Sequence, residues 1–409
     1  MSRYPSNTSA APPSRRRTRR WNGKGRASVD HNAEPLTASD FERAAAGILP
    51  AEIWDFVAGG SGAETTVTAN RTALDNVFLL PRVLRDVSAC TTRSTLLGRP
   101  VELPVATAPV AYQRLVHPDG EAATARAAAA AGVPFIASTL SSVPLEQVIE
   151  AGGRVWFQLY WLRDDAATLG LVRRAEQTGC DAIVLTVDVP WMGRRLRDIR
   201  NRFALPAHVR AANITTTGVA HERHCDGSAV AAHTSQEFSH SLTWSAVERI
   251  RQATRLPLVL KGLLAPEDAV QAVECGVDAI VVSNHGGRQL DGAVTSIDAL
   301  PEIVDVVRGS CEILLDSGIR TGTDVLRALA LGASGVLIGR PLIWGLAVGG
   351  ERGAARVLEL LATELRDAMG LAGCADVDGA RRLRTTRGPR VAGTPPAVQT
   401  SDTASWTDA

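Results

Sequence analysis

From about residue 100 to residue 340 the chain alternates two hydrophobic patterns. Short, nearly continuous apolar runs fall at 103–108, 134–138, 155–160, 182–187, 257–261, 279–283, 312–316 and 335–339. Runs of this length, apolar on both faces, read as buried parallel strands. Between them lie longer Ala-, Leu- and Arg-rich segments whose apolar residues recur every three or four positions. These predict helices at 120–131, 145–151, 166–179, 244–253, 266–275, 297–308 and 323–331. Asp164, Thr243 and Thr321 stand where N-caps are expected. Eight strands alternating with helices predict an α/β fold of the (β/α)8 TIM-barrel kind. A doubly wound sheet is the alternative, but it opens with a Gly-rich turn after its first strand, which this chain lacks.

Two segments break the alternation. Residues 37–100 precede the first strand and carry a helical pattern at 40–46, an N-terminal helical extension. Residues 191–242 form a long polar loop after the fourth strand, expected to cover the site. Residues 1–36, with the run 15–20 of mostly arginines, read as a disordered tail, and residues 386–409 as a flexible one. No apolar stretch follows the twin arginines, so they do not read as an export signal.

In a barrel, chemistry gathers where strands end. The apolar runs here end in Pro109, Val110 and Ala111, Ser138, Gln158 and Tyr160, Thr186, Lys261, Ser283, Asp316 with Gly318 and Arg320, and Gly339 with Arg340. The glycines and arginines after the last two strands suit a phosphate. The densest chemistry follows the sixth strand, in SNHGGRQLD at 283–291. His285 can accept a proton, Arg288 can hold a carboxylate, and two glycines between them admit close backbone approach. Together they point to removal of hydrogen from a 2-hydroxy acid.

Bulk properties narrow the field. The chain has 409 residues, 45% of them hydrophobic, and a net charge of +1, which argues against general nucleic-acid binding. No window resembles a membrane helix. The six cysteines (90, 180, 225, 275, 311, 374) include no C-x-x-C, so reduced thiols and a cytoplasmic setting are expected, with no metal site. Lysine occurs only at Lys24 and Lys261, the second at a strand mouth.

SNHGGRQLD, D-x-G-x-R-x-G-x-D at 316–324, GRP at 339–341, FQLY at 157–160, LTVDVP at 185–190 and APVA at 108–111 resemble the FMN-dependent 2-hydroxy acid oxidases. The resemblance spans residues 37–385 and implies FMN as cofactor. It implies that His285 is the base, oriented by Asp188, with Tyr160 beside the reacting carbon. Hydride and carbanion routes both remain open. Arg195 and Arg288 would hold the substrate carboxylate, with Arg195 chosen over its neighbour Arg194. Lys261 would face flavin N1 and O2. Ser138, Gln158, Thr186, Ser283 and the backbone of Pro109, Val110 and Ala111 would surround the ring. Asp316 would meet the ribityl chain, and Gly318, Arg320, Gly339 and Arg340 the phosphate.

In one place the chain departs from this pattern. Many members place a carboxylate-binding tyrosine where this chain has Phe56. The segments DFVAGGSGAE, APVAYQRL, FQLYWLRD, TVDVPWMGRRLRD and RDAMGLAGC resemble the branch that acts on 4-hydroxymandelate. They imply an aryl substrate, (S)-4-hydroxymandelate or (S)-mandelate, and a place in antibiotic biosynthesis. Tyr112, Trp191 and Met192 fit either an aryl pocket or plain packing. Without a further domain before residue 37, O2 is the implied acceptor, and the family implies a homotetramer. A lactate- or glycolate-type oxidase, monooxygenase or dehydrogenase is the alternative within the family; a non-redox FMN-binding isomerase barrel is the alternative outside it.

Overall fold

The computed structural model describes residues 34–214, 218–223 and 228–388. Most of both expected tails lies outside them. The helices run α1 (Ala38–Ile48), α2 (Ala51–Ala58), α3 (Thr65–Asp75), α4 (Gly120–Ala130), α5 (Leu145–Glu150), α6 (Asp165–Thr178), α7 (Leu196–Arg200), α8 (Ala229–Glu237), α9 (Trp244–Ala253), α10 (Pro266–Glu274), α11 (Ser296–Val307), α12 (Gly322–Ala330), α13 (Arg340–Ala372) and α14 (Val377–Arg381). The strands are β1 (Val77–Leu79), β2 (Ser94–Leu96), β3 (Arg99–Val101), β4 (Val105–Thr107), β5 (Phe135–Ser138), β6 (Val155–Leu159), β7 (Ala182–Thr186), β8 (Leu258–Leu263), β9 (Ala279–Val282), β10 (Glu312–Leu315), β11 (Gly335–Ile338) and β12 (Thr385–Arg387).

Strands β4 to β11 form one parallel sheet in the order β4-β11-β10-β9-β8-β7-β6-β5. Its edges meet through Thr107, whose N–H donates to Pro134 O at 3.0 Å and whose Oγ1 accepts from the Ile136 N–H at 3.0 Å. The TIM barrel expected from the alternation is therefore present.

Side chains alternate across each strand, and this decides where polar groups emerge. Ile136, Trp156, Val184, Val259, Val281, Leu314 and Leu337 fill the barrel interior. Leu96 and Val101 of the β2–β3 hairpin pack against this interior cluster. Two residues further along each strand, on the same face, stand Ser138, Gln158, Thr186, Lys261, Ser283, Asp316 and Gly339. The period of two thus turns an apolar interior into a polar mouth at the C-terminal end. Residues of the opposite parity, such as Ile183, Leu185, Ile280 and Val282, pack outward in the larger core.

The helix starts follow local chemistry. Thr37 and Asp40 make a capping box on α1, as Thr321 and Asp324 do on α12, and Asp164 accepts from the Ala166 and Ala167 amides. Thr243 holds the N-cap position of α9 without capping it; its hydroxyl pairs with Ser245 Oγ at 2.8 Å.

Three features differ from the pattern-based reading. The ordered chain passes the boundary expected at 385, because Thr385–Arg387 pairs antiparallel with Val77–Leu79. Pairing needs backbone rather than apolar side chains, so polarity hid it. The 37–100 extension holds α2 and α3 as well as α1. The 191–242 insertion carries α7 and α8 rather than loop alone.

Candidate active site

The barrel mouth opens into a cleft of about 1200 Å³ including its entrance. Barrel strand ends form its floor. Phe56 of α2 and Met192, Arg195, Val230, Thr234 and Phe238 of the insertion form its sides.

His285 lies just past β9, in the left-handed region at φ 57, an uncommon conformation for a residue with a side chain. Its N–H donates to Ser283 Oγ at 3.0 Å, and Ser317 Oγ accepts from the Asn284 and Gly286 amides at 3.3 and 3.0 Å. The turn is further tied to α3 by paired amides, Asn70 to Asn284 at 2.9 Å and Asn284 to Asn70 at 2.7 Å. These bonds over-determine the strained backbone and aim the imidazole into the cleft.

His285 Nδ1 lies 3.0 Å from Asp188 Oδ1. Burial pushes the imidazole below its ordinary value; Asp188 opposes this, while Lys261 and Arg195 add to it. Burial alone would raise Asp188, but His285 and Lys261 bring its carboxyl below the usual range. A neutral imidazole on an ionised carboxylate is the resting pair. With Nδ1–H donated to Asp188, Nε2 is the free lone pair, the arrangement a general base needs. Only the neutral ring accepts a proton, so substrate oxidation should fall as pH drops through the His285 pKa. That limb is expected below pH 6.5 in the pH dependence of anaerobic substrate-driven bleaching; a limb above pH 7 would contradict a buried neutral base.

Arg288 donates to Phe56 O and Gly59 O, both at 2.9 Å, and its guanidinium lies 5.4 Å from the Phe56 ring centroid. Burial, then Arg195 and Arg340, lower it well below the ordinary arginine value. A guanidinium keeps its proton regardless, so the shift measures how poorly two adjacent buried cations are compensated. An incoming carboxylate offsets this. Arg195, not Arg194, lines the cleft; Arg194 is exposed. Tyr160 stacks on Phe238 at 4.3 Å, and burial raises its phenol to about 12, keeping it a hydrogen-bond donor.

Lys261 Nζ lies 3.0 Å from both Asp316 Oδ2 and Ser283 Oγ. Burial works against its charge, but Asp316 and Asp188 carry it above its ordinary value, so it stays an ammonium. Ser138, Thr186 and the Pro109–Ala111 wall line the cleft. Gln158 and Ser283 do not. Gln158 Nε2 donates to Thr186 Oγ1 at 3.0 Å and its Oε1 accepts from Ser138 Oγ at 3.1 Å, so it braces two lining hydroxyls. Ser283 braces Lys261 and the His285 amide.

At the far end, Arg320 and Arg340 stand with Gly318 and Gly339 near the N-terminus of α13. Burial first, then mutual repulsion, pushes Arg320 down to about 9; burial, then Arg195, pushes Arg340 down to about 10. The Arg340 side chain donates to Val57 O, Gly59 O and Gly286 O, clamping α2 onto the His285 turn. What it offers a phosphate is charge and the helix terminus, while the Arg320 side chain, among the described residues, donates to Ile319 O and lies over the Trp344 face. Buried cations at a helix start, a polar middle and a wall of small residues fit FMN, which these residues would hold.

Sequence reasoning missed Ser317, Phe203 and Phe238. Ser317 holds positive φ beside Gly318 and donates to Asp316 Oδ1 at 2.7 Å. Phe203 stacks on Phe56 at 4.7 Å. A serine flanked by Asp316 and Gly318 was a usable signal; the phenylalanines sit in the insertion, where no period points to a partner.

A barrel with a histidine–aspartate pair, a carboxylate-binding arginine pair and an anion cradle defines a flavin enzyme that oxidises 2-hydroxy acids. The chain belongs to the FMN-dependent dehydrogenase family, matched over residues 45–386. It is 61% identical over 353 residues to 4-hydroxymandelate oxidase of Amycolatopsis orientalis, covering 86% of this chain and 99% of that one. It is 47% identical over 351 residues to L-lactate oxidase of Nostoc sp., covering 84% and 96%. The crystal structure of mandelate oxidase with (S)-4-hydroxymandelic acid superposes with a TM-score of 0.85 at 60% identity, covering 87% and 99%. The protein is thus an FMN-dependent 2-hydroxy acid oxidase, and the isomerase alternative falls.

Proposed function

We propose that this protein oxidises (S)-4-hydroxymandelate or (S)-mandelate to the aryl glyoxylate, with O2 as acceptor and H2O2 as product. The observation that carries the aryl reading is Phe56. It lies under Arg288 and against Phe203, where a tyrosine would give the carboxylate a hydroxyl. An apolar ring there replaces a polar contact with a wall suited to an aromatic substrate, in the same cleft that the Tyr160–Phe238 stack lines. The 4-hydroxymandelate oxidase relative supports the same substrate class.

In this reading Arg195 and Arg288 fix the carboxylate, which presents the 2-hydroxy carbon to His285. Nε2 takes a proton, and Asp188 stabilises the imidazolium that forms. Tyr160 donates to the substrate oxygen. Lys261 supplies a fixed positive charge where negative charge develops. FMN, when bound, accepts the two electrons.

Anaerobic mixing with (S)-4-hydroxymandelate, (S)-mandelate, lactate and glycolate tests the proposal through loss of visible flavin absorbance. The aryl acids should exceed glycolate in kcat/KM by at least about tenfold, the scale of a few buried apolar contacts. Glycolate equal to or above mandelate sinks the aryl assignment and favours the lactate- or glycolate-type reading. Readmitted air should restore absorbance and release H2O2; failure would point to another acceptor. We further place the protein in the cytoplasm, as a homotetramer, in a route that consumes aryl glyoxylates for antibiotic assembly. Molecular mass in solution tests the tetramer.

A further inference from the structure

The histidine–aspartate pair leaves open what holds Asp188 in place. Asp188 Oδ1 meets His285, but Oδ2 is buried with no hydrogen-bond partner among the described residues. Its backbone carbonyl is held by Gln289 Nε2 at 2.7 Å, which fixes the chain and leaves the side-chain torsion free. Hydrogen bonding to His285 therefore engages one carboxylate oxygen, and packing must hold the rest of the side chain.

The packing surface is Gly262. It lies in β8 at φ +117, a region L side chains rarely adopt. A Cβ built on it would stand 2.6 Å from Asp188 Cβ, 2.7 Å from Asp188 Cγ and 3.0 Å from Asp188 N. The side chain of Asp188 thus rests on the bare α-carbon of Gly262. This approach exists because β8 slips there. Lys261 pairs with Val281 and Leu263 with Val282, so Gly262 is an extra residue with no partner of its own. The bulge lets Lys261 reach Ser283 and Asp316 at the mouth, returns Leu263 to the core, and opens the space that Asp188 fills.

We propose that Gly262 is a positioning residue for this oxidation. Its missing side chain is the seat of Asp188, and through that seat it sets the Asp188–His285 contact. It is not among the residues that line the cleft, so it acts through Asp188.

The test is a double-mutant cycle in the full chain, with flavin content, pH dependence and anaerobic flavin reduction measured for each variant. Gly262→Ala should retain flavin and reduce it about 10- to 100-fold more slowly. Its acidic limb should move to lower pH, because Asp188 is what holds the His285 pKa up. In an Asp188→Gly background, adding Gly262→Ala should cost less than about threefold, since neither the carboxylate nor the Cβ that the methyl meets remains. A wild-type rate and unmoved limb in Gly262→Ala would overturn the proposal. So would an equal penalty in both backgrounds, which would assign the glycine to the fold or to Lys261. If Gly262→Ala does not fold, Asp188→Gly with Gly262→Ala removes both side-chain atoms that the new methyl meets. Recovery of flavin-bound protein supports the contact, and failure to recover overturns it.

Discussion

Replacing His285 with glutamine is expected to lower the rate of substrate-driven flavin reduction by about 10²- to 10⁴-fold, the span assigned to a positioned general base. Glutamine keeps a polar group of similar size but cannot take a full proton. Flavin should stay bound, because the cofactor contacts assigned here come from Lys261, Asp316, Arg320 and the start of α13. The limb below pH 6.5 should vanish with the base that produces it. Stopped-flow absorbance gives the rate, and the spectrum of the purified variant gives occupancy. A loss under tenfold would show that another group removes the proton. Loss of flavin with the histidine would make the turn at Ser283–Arg288 a cofactor anchor first.

Much of this was legible in the chain, and the reason is geometric. Strands of a barrel alternate strictly, so each apolar run announced both an interior residue and, two positions on, a residue at the mouth. Lys261 illustrates it: Val259 fixed its parity, and its ammonium meets Asp316. The SNHGGRQLD turn carried its own chemistry in nine consecutive residues. What could not be read lay in the third dimension. Gln158 and Ser283 share the parity of the lining residues but stand behind them, because their neighbours' hydroxyls and ammonium capture them. Arg340, expected at the phosphate by position, also uses its guanidinium to clamp α2 to the His285 turn, which no local pattern announces. The Phe56–Phe203 and Tyr160–Phe238 stacks join residues 147 and 78 positions apart, read from their numbering. No local period encodes such pairings.

The second large effect is expected at Arg195. Arg195→Met keeps the length and apolar stem of the side chain and removes the charge. A charge-assisted hydrogen bond to a carboxylate contributes about 1.5–3 kcal/mol, and a guanidinium makes two in parallel, so kcat/KM should fall about 10²- to 10⁴-fold. Most of the loss should appear in substrate binding, because the carboxylate is held alike before and during reaction. The neighbours sharpen the expectation. Arg195 adds to the forces that lower His285 and Arg288, so its removal should raise both. The acidic limb should therefore move to higher pH, opposite to the shift expected from Gly262→Ala. Arg195→Lys should recover little, since a point charge cannot form the planar fork. Arg288 is the poorer probe: it also ties down Phe56 O and Gly59 O, so its loss would loosen α2 as well. A Met variant that binds substrate normally would leave Arg288 as the sole carboxylate anchor and make Arg195 a field-setting charge over His285.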